Sequence, residues 1–108
     1  MTTEMVLFGL AVLAVVAGCL APKHWLPPLP NDKVLHFSAF AALSLLAARI
    51  ASTPLELAGW LFGLLVAGWL IECVQQWIPG RSFCWRDIAA NAAGIAAAAL
   101  CVPLLPWF

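Results

Sequence analysis

Ionisable and amide side chains are scarce in this sequence, and most of them fall in two short stretches. The first holds Asp32, Lys33 and His36; the second, "ECVQQWIPGRSFCWRDIAAN", holds Glu72, Gln75, Gln76, Arg81, Arg86, Asp87 and Asn91. Histidine is the side chain type that changes charge most readily near neutral pH, and with a carboxylate it makes a minimal general acid/base pair. Asp32, one turn before His36, or Glu72, from a different segment, could orient its imidazole, which makes His36, Glu72 and Asp32 the candidate catalytic residues. Arg81 and Lys33 could hold an anion, one as a bidentate fork and the other as a point charge. Gln76 and Asn91 add amide hydrogen bonds, and Asp87 completes a candidate ligand-binding set of Lys33, Arg81, Gln76, Asp87 and Asn91. No well-placed nucleophile accompanies them. Ser38 follows His36 by two positions and points away from it on a helix, and Ser82 lies in a loop. Cys19, Cys73, Cys84 and Cys101 show neither a CxxC nor a His/Cys ligand spacing, so no metal site and no disulfide framework is expected.

The elements that must position these residues are apolar. Of 108 residues, 65% are hydrophobic and 9% charged, with no net charge; soluble domains carry about 25% charged residues. The balance belongs to the membrane class. With no basic tail and no Gly-rich phosphate loop, neither a nucleic-acid partner nor a cofactor is expected. Four apolar segments follow one another, giving helices over approximately 3–21, 33–51, 55–78 and 88–106 in a single domain. A membrane-crossing helix needs ~20 mostly apolar residues, and helices satisfy their own backbone in lipid. The predicted fold class is therefore all-α, a polytopic four-helix transmembrane bundle. The Pro-rich "APKHWLPPLPND" separates the first two helices and ends in residues suited to capping. "ASTP" separates the second and third, and Pro79-Gly80 stops the third. Trp25, Trp77, Trp85 and Trp107 fall near segment ends, as interfacial anchors do. "VAGC", residues 16–19, has the look of a lipoprotein processing site. However, no Lys or Arg precedes position 23 and Glu4 is acidic, so a retained first helix is the expectation.

Four antiparallel crossings gather the start of helix two, the end of helix three and the start of helix four at one end of the bundle. Only Glu4, Arg49 and Glu56 lie at the other. Asp32 and His36, Glu72 and Gln76, and Asp87 and Asn91 are i,i+4 pairs, each on one helix face. Intramembrane charge is costly and normally faces the bundle interior or a wet cavity, which points to a shallow hydrated pocket between helices two, three and four. Structural roles compete with this reading. Asp32 and Asp87 could cap their helices, and Lys33, Arg81 and Arg86 balance Asp32, Glu72 and Asp87 as an ion-pair network would. By the positive-inside rule, Lys23, Lys33, Arg81 and Arg86 at the polar end, against Arg49 and the amino terminus at the other, favour a cytoplasmic polar end; with Lys33 and Arg81 set aside as site residues the count decides little, and both faces stay open.

"NDKVLHFSAFAAL" and "ECVQQWIPGRSFCWRDIAANAAGIAAA" together resemble the VanZ-like family of small bacterial membrane proteins. Its pattern is D-K-x-x-H-F with an aromatic three residues on, then E-x-x-Q, P-G-R and D-x-x-x-N-x-x-G. Asp32, Lys33, His36, Phe37, Phe40, Glu72, either Gln75 or Gln76, Pro79, Gly80, Arg81, Asp87, Asn91 and Gly94 stand at the matching positions. Phe40 occurs where the family often has Tyr. The resemblance covers about residues 30–98. It implies a multi-pass protein of the bacterial cytoplasmic membrane, linked to low-level resistance to the glycopeptide teicoplanin, and no established chemical mechanism. Three functions follow as expectations. The first is an envelope protein binding a membrane lipid or lipid-linked precursor by its anionic headgroup. The second is a small intramembrane enzyme acting on such a headgroup through a His/carboxylate pair. The third is a proton-coupled transport element, which four short helices could form only as a homo-oligomer.

Overall fold

A computed structural model describes residues 2–21, 32–80 and 82–104. Four helices follow in order: α1 (Thr3–Leu20), α2 (Asp32–Ile50), α3 (Pro54–Gln75) and α4 (Trp85–Cys101), with a short 3-10 turn over Val102–Leu104. No strand occurs among the described residues. All four helices are long and apolar enough to cross a membrane, which gives the expected four-helix bundle. Local chemistry fixes several ends. Thr2 Oγ1 accepts the Met5 N–H at 3.2 Å, and Thr53 Oγ1 accepts the Glu56 N–H at 3.0 Å, with Pro54 opening the first turn of α3.

Three boundaries depart from the sequence expectation by three residues or more; one is the end of α4, which gives way to the 3-10 turn after Cys101 instead of running on towards 106. Helix α3 ends at Gln75, three residues before the expected Ile78, because the chain tightens there. Trp77 N–H donates to Val74 O at 3.0 Å and Ile78 N–H to Gln75 O at 2.9 Å, and Gly80 then turns with φ 78°. Helix α4 starts at Trp85, ahead of the expected Ile88, with Cys84 as an N-cap that makes no side-chain capping bond. Asp87 is thus a first-turn residue and not the cap; its carboxylate is engaged elsewhere, as described below. Helix α2 begins at Asp32, whose side chain lies outside the described residues, as does the segment 22–31.

Packing is closest between α2 and α4. Small residues allow it: a Cβ placed on Gly94 would come within 2.2 Å of the Phe37 carbonyl oxygen and 3.1 Å of Ala41 N, so only glycine fits. Phe40, Leu43, Leu64 and Ile95 form one buried cluster, and Ala47, Ala48, Leu57 and Val102 another. Helix α1 contributes no buried residue and leans on the others through Phe8, whose ring meets Trp60 edge-on at 5.2 Å. The outer surface is apolar, with Leu13, Leu55, Phe62 and Leu100 among its exposed side chains. The polar groups Ser44, Glu72, Gln75, Asp87 and Asn91 are buried. Such an inside-out distribution is that of a chain solvated by lipid.

Candidate functional site

The polar end of the bundle is built on three helices. The first turn of α2 supplies Lys33 and His36, the last turn of α3 supplies Glu72 and Gln75, and the first two turns of α4 supply Asp87 and Asn91. The i,i+3 spacing of Lys33 and His36 and the i,i+4 spacing of Asp87 and Asn91 put each pair on one face, and those two faces meet. Lys33 Nζ donates to Asp87 Oδ1 at 2.5 Å. The imidazole of His36 lies between the two α4 residues, with Nδ1 3.0 Å from Asn91 Oδ1 and Nε2 3.6 Å from Asp87 Oδ2. Nδ1 can thus donate to the Asn91 amide oxygen while Nε2 faces the Asp87 carboxylate. The Asp87 and His36 side chains are 8% and 12% exposed, whereas Lys33 is 36% exposed and forms the rim of the cluster.

Glu72 sits behind this group. It is fully buried, and its Oε1 accepts the backbone N–H of Cys84, the residue that caps α4, at 3.1 Å. Its Oε2 is buried and finds no hydrogen-bond partner among the described residues. The charges of Asp87 and Lys33 both act on it. A buried carboxylate oxygen without a donor is uncommon, and in a membrane-spanning segment it marks a position retained for function or for specificity.

The structure therefore gathers Lys33, His36, Glu72, Asp87 and Asn91, but redistributes their partnerships. Asp87, with Asn91, stands against the His36 imidazole; Glu72 bonds the start of α4 instead, and the Asp32 side chain lies outside the described residues. Arg81 likewise lies outside the described residues. Gln76 is exposed as the C-cap of α3. Its neighbour Gln75 is the buried glutamine, and its Nε2 donates to the Cys19 carbonyl at 2.7 Å, tying α3 to α1. The sequence reading assigns Gln76 to the ligand-binding set and leaves only the register of the family motif open between the two glutamines. The backbone N–H of Cys84 was not foreseen as a partner, because a main-chain donor carries no signature in residue type. At the opposite end, Arg49 pairs with Glu4 at 3.2 Å. No group of three or more His, Cys, Asp or Glu able to hold a metal ion occurs among the described residues.

A family model described as VanZ/LLP1 matches residues 5–106, nearly the whole chain. The match takes in α1 as well as the three helices that carry the polar cluster. No curated protein and no solved structure matches.

Proposed function

The chain belongs to the VanZ/LLP1 family, and from that premise we propose that it binds an anionic amphiphile, a membrane lipid or lipid-linked precursor, by its headgroup at the polar end of the bundle. It does so in the bacterial cytoplasmic membrane, and through that lipid it alters susceptibility to glycopeptides such as teicoplanin. The observation that carries this reading is the pairing of a buried Glu72 oxygen, without a hydrogen-bond partner among the described residues, with a part-exposed Lys33 at the rim of the same cluster. An ammonium at the rim suits a phosphate or carboxylate, and a buried acceptor suits a hydroxyl or amide donor carried by the same headgroup. Arg81 and Asn91 are the further ligands this reading assigns.

A second reading is favoured by one observation, the placement of His36 between Asp87 and Asn91. An imidazole nitrogen facing a carboxylate could move a proton on the bound headgroup. One experiment separates the two. The protein is reconstituted in nanodiscs with anionic lipid, and both the retained lipid and any released headgroup are measured by mass spectrometry. Retention of intact lipid, lost about tenfold in Lys33→Ala and in Glu72→Gln, is the expected outcome. Equal retention by wild type and both variants would remove the headgroup site. Headgroup release abolished by both His36→Ala and Asp87→Asn, with lipid still bound, would establish the enzyme.

A further inference from the structure

An open cleft of about 640 Å³ runs between α1 and α3, with α2 beneath it. Val12 and Val15 of α1 form one wall, Gly59 and Gly63 of α3 the other, and Phe40 of α2 lies at the floor. Helix α1 is held at both ends of this gap. Near the polar end Gln75 donates to the Cys19 carbonyl at 2.7 Å, and near the other end Arg49 holds Glu4 at 3.2 Å while Phe8 meets Trp60. Along this face of α3, Gly59 and Gly63 leave gaps: a Cβ on either would meet nothing within 4 Å. The cleft lies within segments that cross the membrane. A gap open to the hydrocarbon is filled by hydrocarbon, because an unfilled one forfeits dispersion contacts along its whole lining.

We infer that this cleft seats the single long chain of a polyprenyl phosphate whose headgroup lies at the Lys33 end, an inference that rests on the headgroup reading above. Length argues for that occupant. The α3 lining runs from Glu56 to Ile71, about 22 Å at 1.5 Å per residue. That exceeds half of the ~30 Å hydrocarbon core, so a phospholipid chain confined to one leaflet would leave part of it unfilled. Charge gives the orientation. Among the described residues, the Glu56 end of the lining carries a carboxylate and no cation, while Ile71 at the other end adjoins the polar cluster, where the rim ammonium of Lys33 stands against the Glu72 and Asp87 carboxylates. Continuity links the two sites. Phe40 floors the cleft and also packs on Gly68, where a Cβ would lie 3.2 Å from its ring and 3.0 Å from Asn91 Nδ2. One aromatic ring thus separates the chain site from the headgroup site.

The test uses the full chain in phosphatidylcholine nanodiscs with two probes. One is a long-chain polyprenyl phosphate bearing a photoreactive group at the far end of its chain; the other is a short, water-soluble isoprenyl phosphate. Gly63→Leu fills the cleft without meeting a neighbouring Cβ contact, and Gly9→Leu, equally open and outside the cleft lining, is the control. Gly63→Leu should lower photolabelling by the long-chain probe about tenfold and leave short-probe binding at the wild-type level, with Gly9→Leu changing neither. Lys33→Ala should weaken both probes. Unchanged photolabelling in Gly63→Leu, with Lys33→Ala still weakening both, overturns the cleft inference and spares the headgroup reading. Loss of photolabelling in Gly63→Leu with no effect of Lys33→Ala overturns the headgroup reading and the orientation derived from it. Displacement of the long-chain probe by dioleoyl phosphatidate as effective as by unlabelled probe overturns the polyprenyl assignment. Photolabelling that joins two copies of the protein through the cleft would make a second chain its occupant and overturn it as well.

Discussion

Glu72 accepts the Cys84 N–H through one oxygen and keeps the other buried without a donor among the described residues. Its first oxygen therefore serves the fold, and its second is the one the proposed function assigns to a ligand; a pair of substitutions separates the two roles. Glu72→Ala deletes both and strands the N–H that opens α4, a loss of about 1–3 kcal/mol for a buried unsatisfied donor. Glu72→Gln keeps an acceptor at Oε1 and should cost less than half as much, while still losing lipid. Thermal unfolding in detergent micelles, followed by helicity, measures the difference. Equal midpoints for the two variants would mean that the Cys84 bond contributes nothing to the fold. The positions of Lys33, His36, Glu72, Asp87 and Asn91 were legible in the sequence, because ionisable residues in apolar segments stand out and i,i+4 spacing fixes the face each pair shares. Their partnerships were not. Spacing gives the direction of a side chain relative to its own helix axis but not the rotation of one helix against another. That rotation decides that Asp87, rather than Glu72, approaches His36. The choice between Gln75 and Gln76 has the same origin, since adjacent residues differ by about 100° around the helix and only the packing of α1 selects one.

Helix existence was readable throughout, because lipid leaves the backbone no other way to satisfy its hydrogen bonds. Helix ends were less so. The sequence suggested Asp87 as the start of the fourth helix on the strength of capping chemistry. In the structure the helix begins at Trp85 and Asp87 spends its carboxylate on Lys33. A tertiary ion pair outweighed a local preference, and the uncapped start is compensated by Glu72 reaching from α3 to the Cys84 N–H. The α2–α4 crossing carries the sharpest prediction at this scale. Gly94→Ala would place a methyl group 2.2 Å from the Phe37 carbonyl oxygen, so the helices must separate, and overpacking of this kind typically costs about 1–3 kcal/mol. Gly63→Ala meets open space and should be neutral or stabilising by up to about 1 kcal/mol through helix propensity. Denaturant unfolding in mixed micelles checks both. A Gly94→Ala variant as stable as wild type would show that the crossing is loose enough to yield, and the close approach would no longer explain the glycine.

The bundle presents apolar side chains outward and collects its buried charge at one end, so the orientation of the whole molecule decides which leaflet that end can reach. Cys84 precedes α4 and Cys101 ends it, which places the two thiols at opposite ends of a membrane-crossing helix. Cys101 is exposed on the helix surface and Cys84 is partly exposed in the loop. In single-cysteine variants treated as intact spheroplasts, a membrane-impermeant maleimide should therefore react with one of them and not the other. Reaction of both would be incompatible with a single crossing by α4. The positive-inside rule counts Lys and Arg with little regard to neighbouring acids, so the pairing of Lys33 with Asp87 and of Arg49 with Glu4 does not cancel their topological weight. In the sequence Lys23, Lys33, Arg81 and Arg86 then oppose Arg49 and the amino terminus, and the orientation this predicts has the polar end on the cytoplasmic side. Cys84 should accordingly be labelled only after lysis. Under the proposed function, that orientation gives Lys33 the headgroups of the inner leaflet, before export, and the proposed effect on a glycopeptide acting outside the membrane would run through the supply of a lipid-linked precursor. Labelling of Cys84 in intact cells would reverse this assignment and bring the headgroup site within reach of exported precursor and antibiotic together.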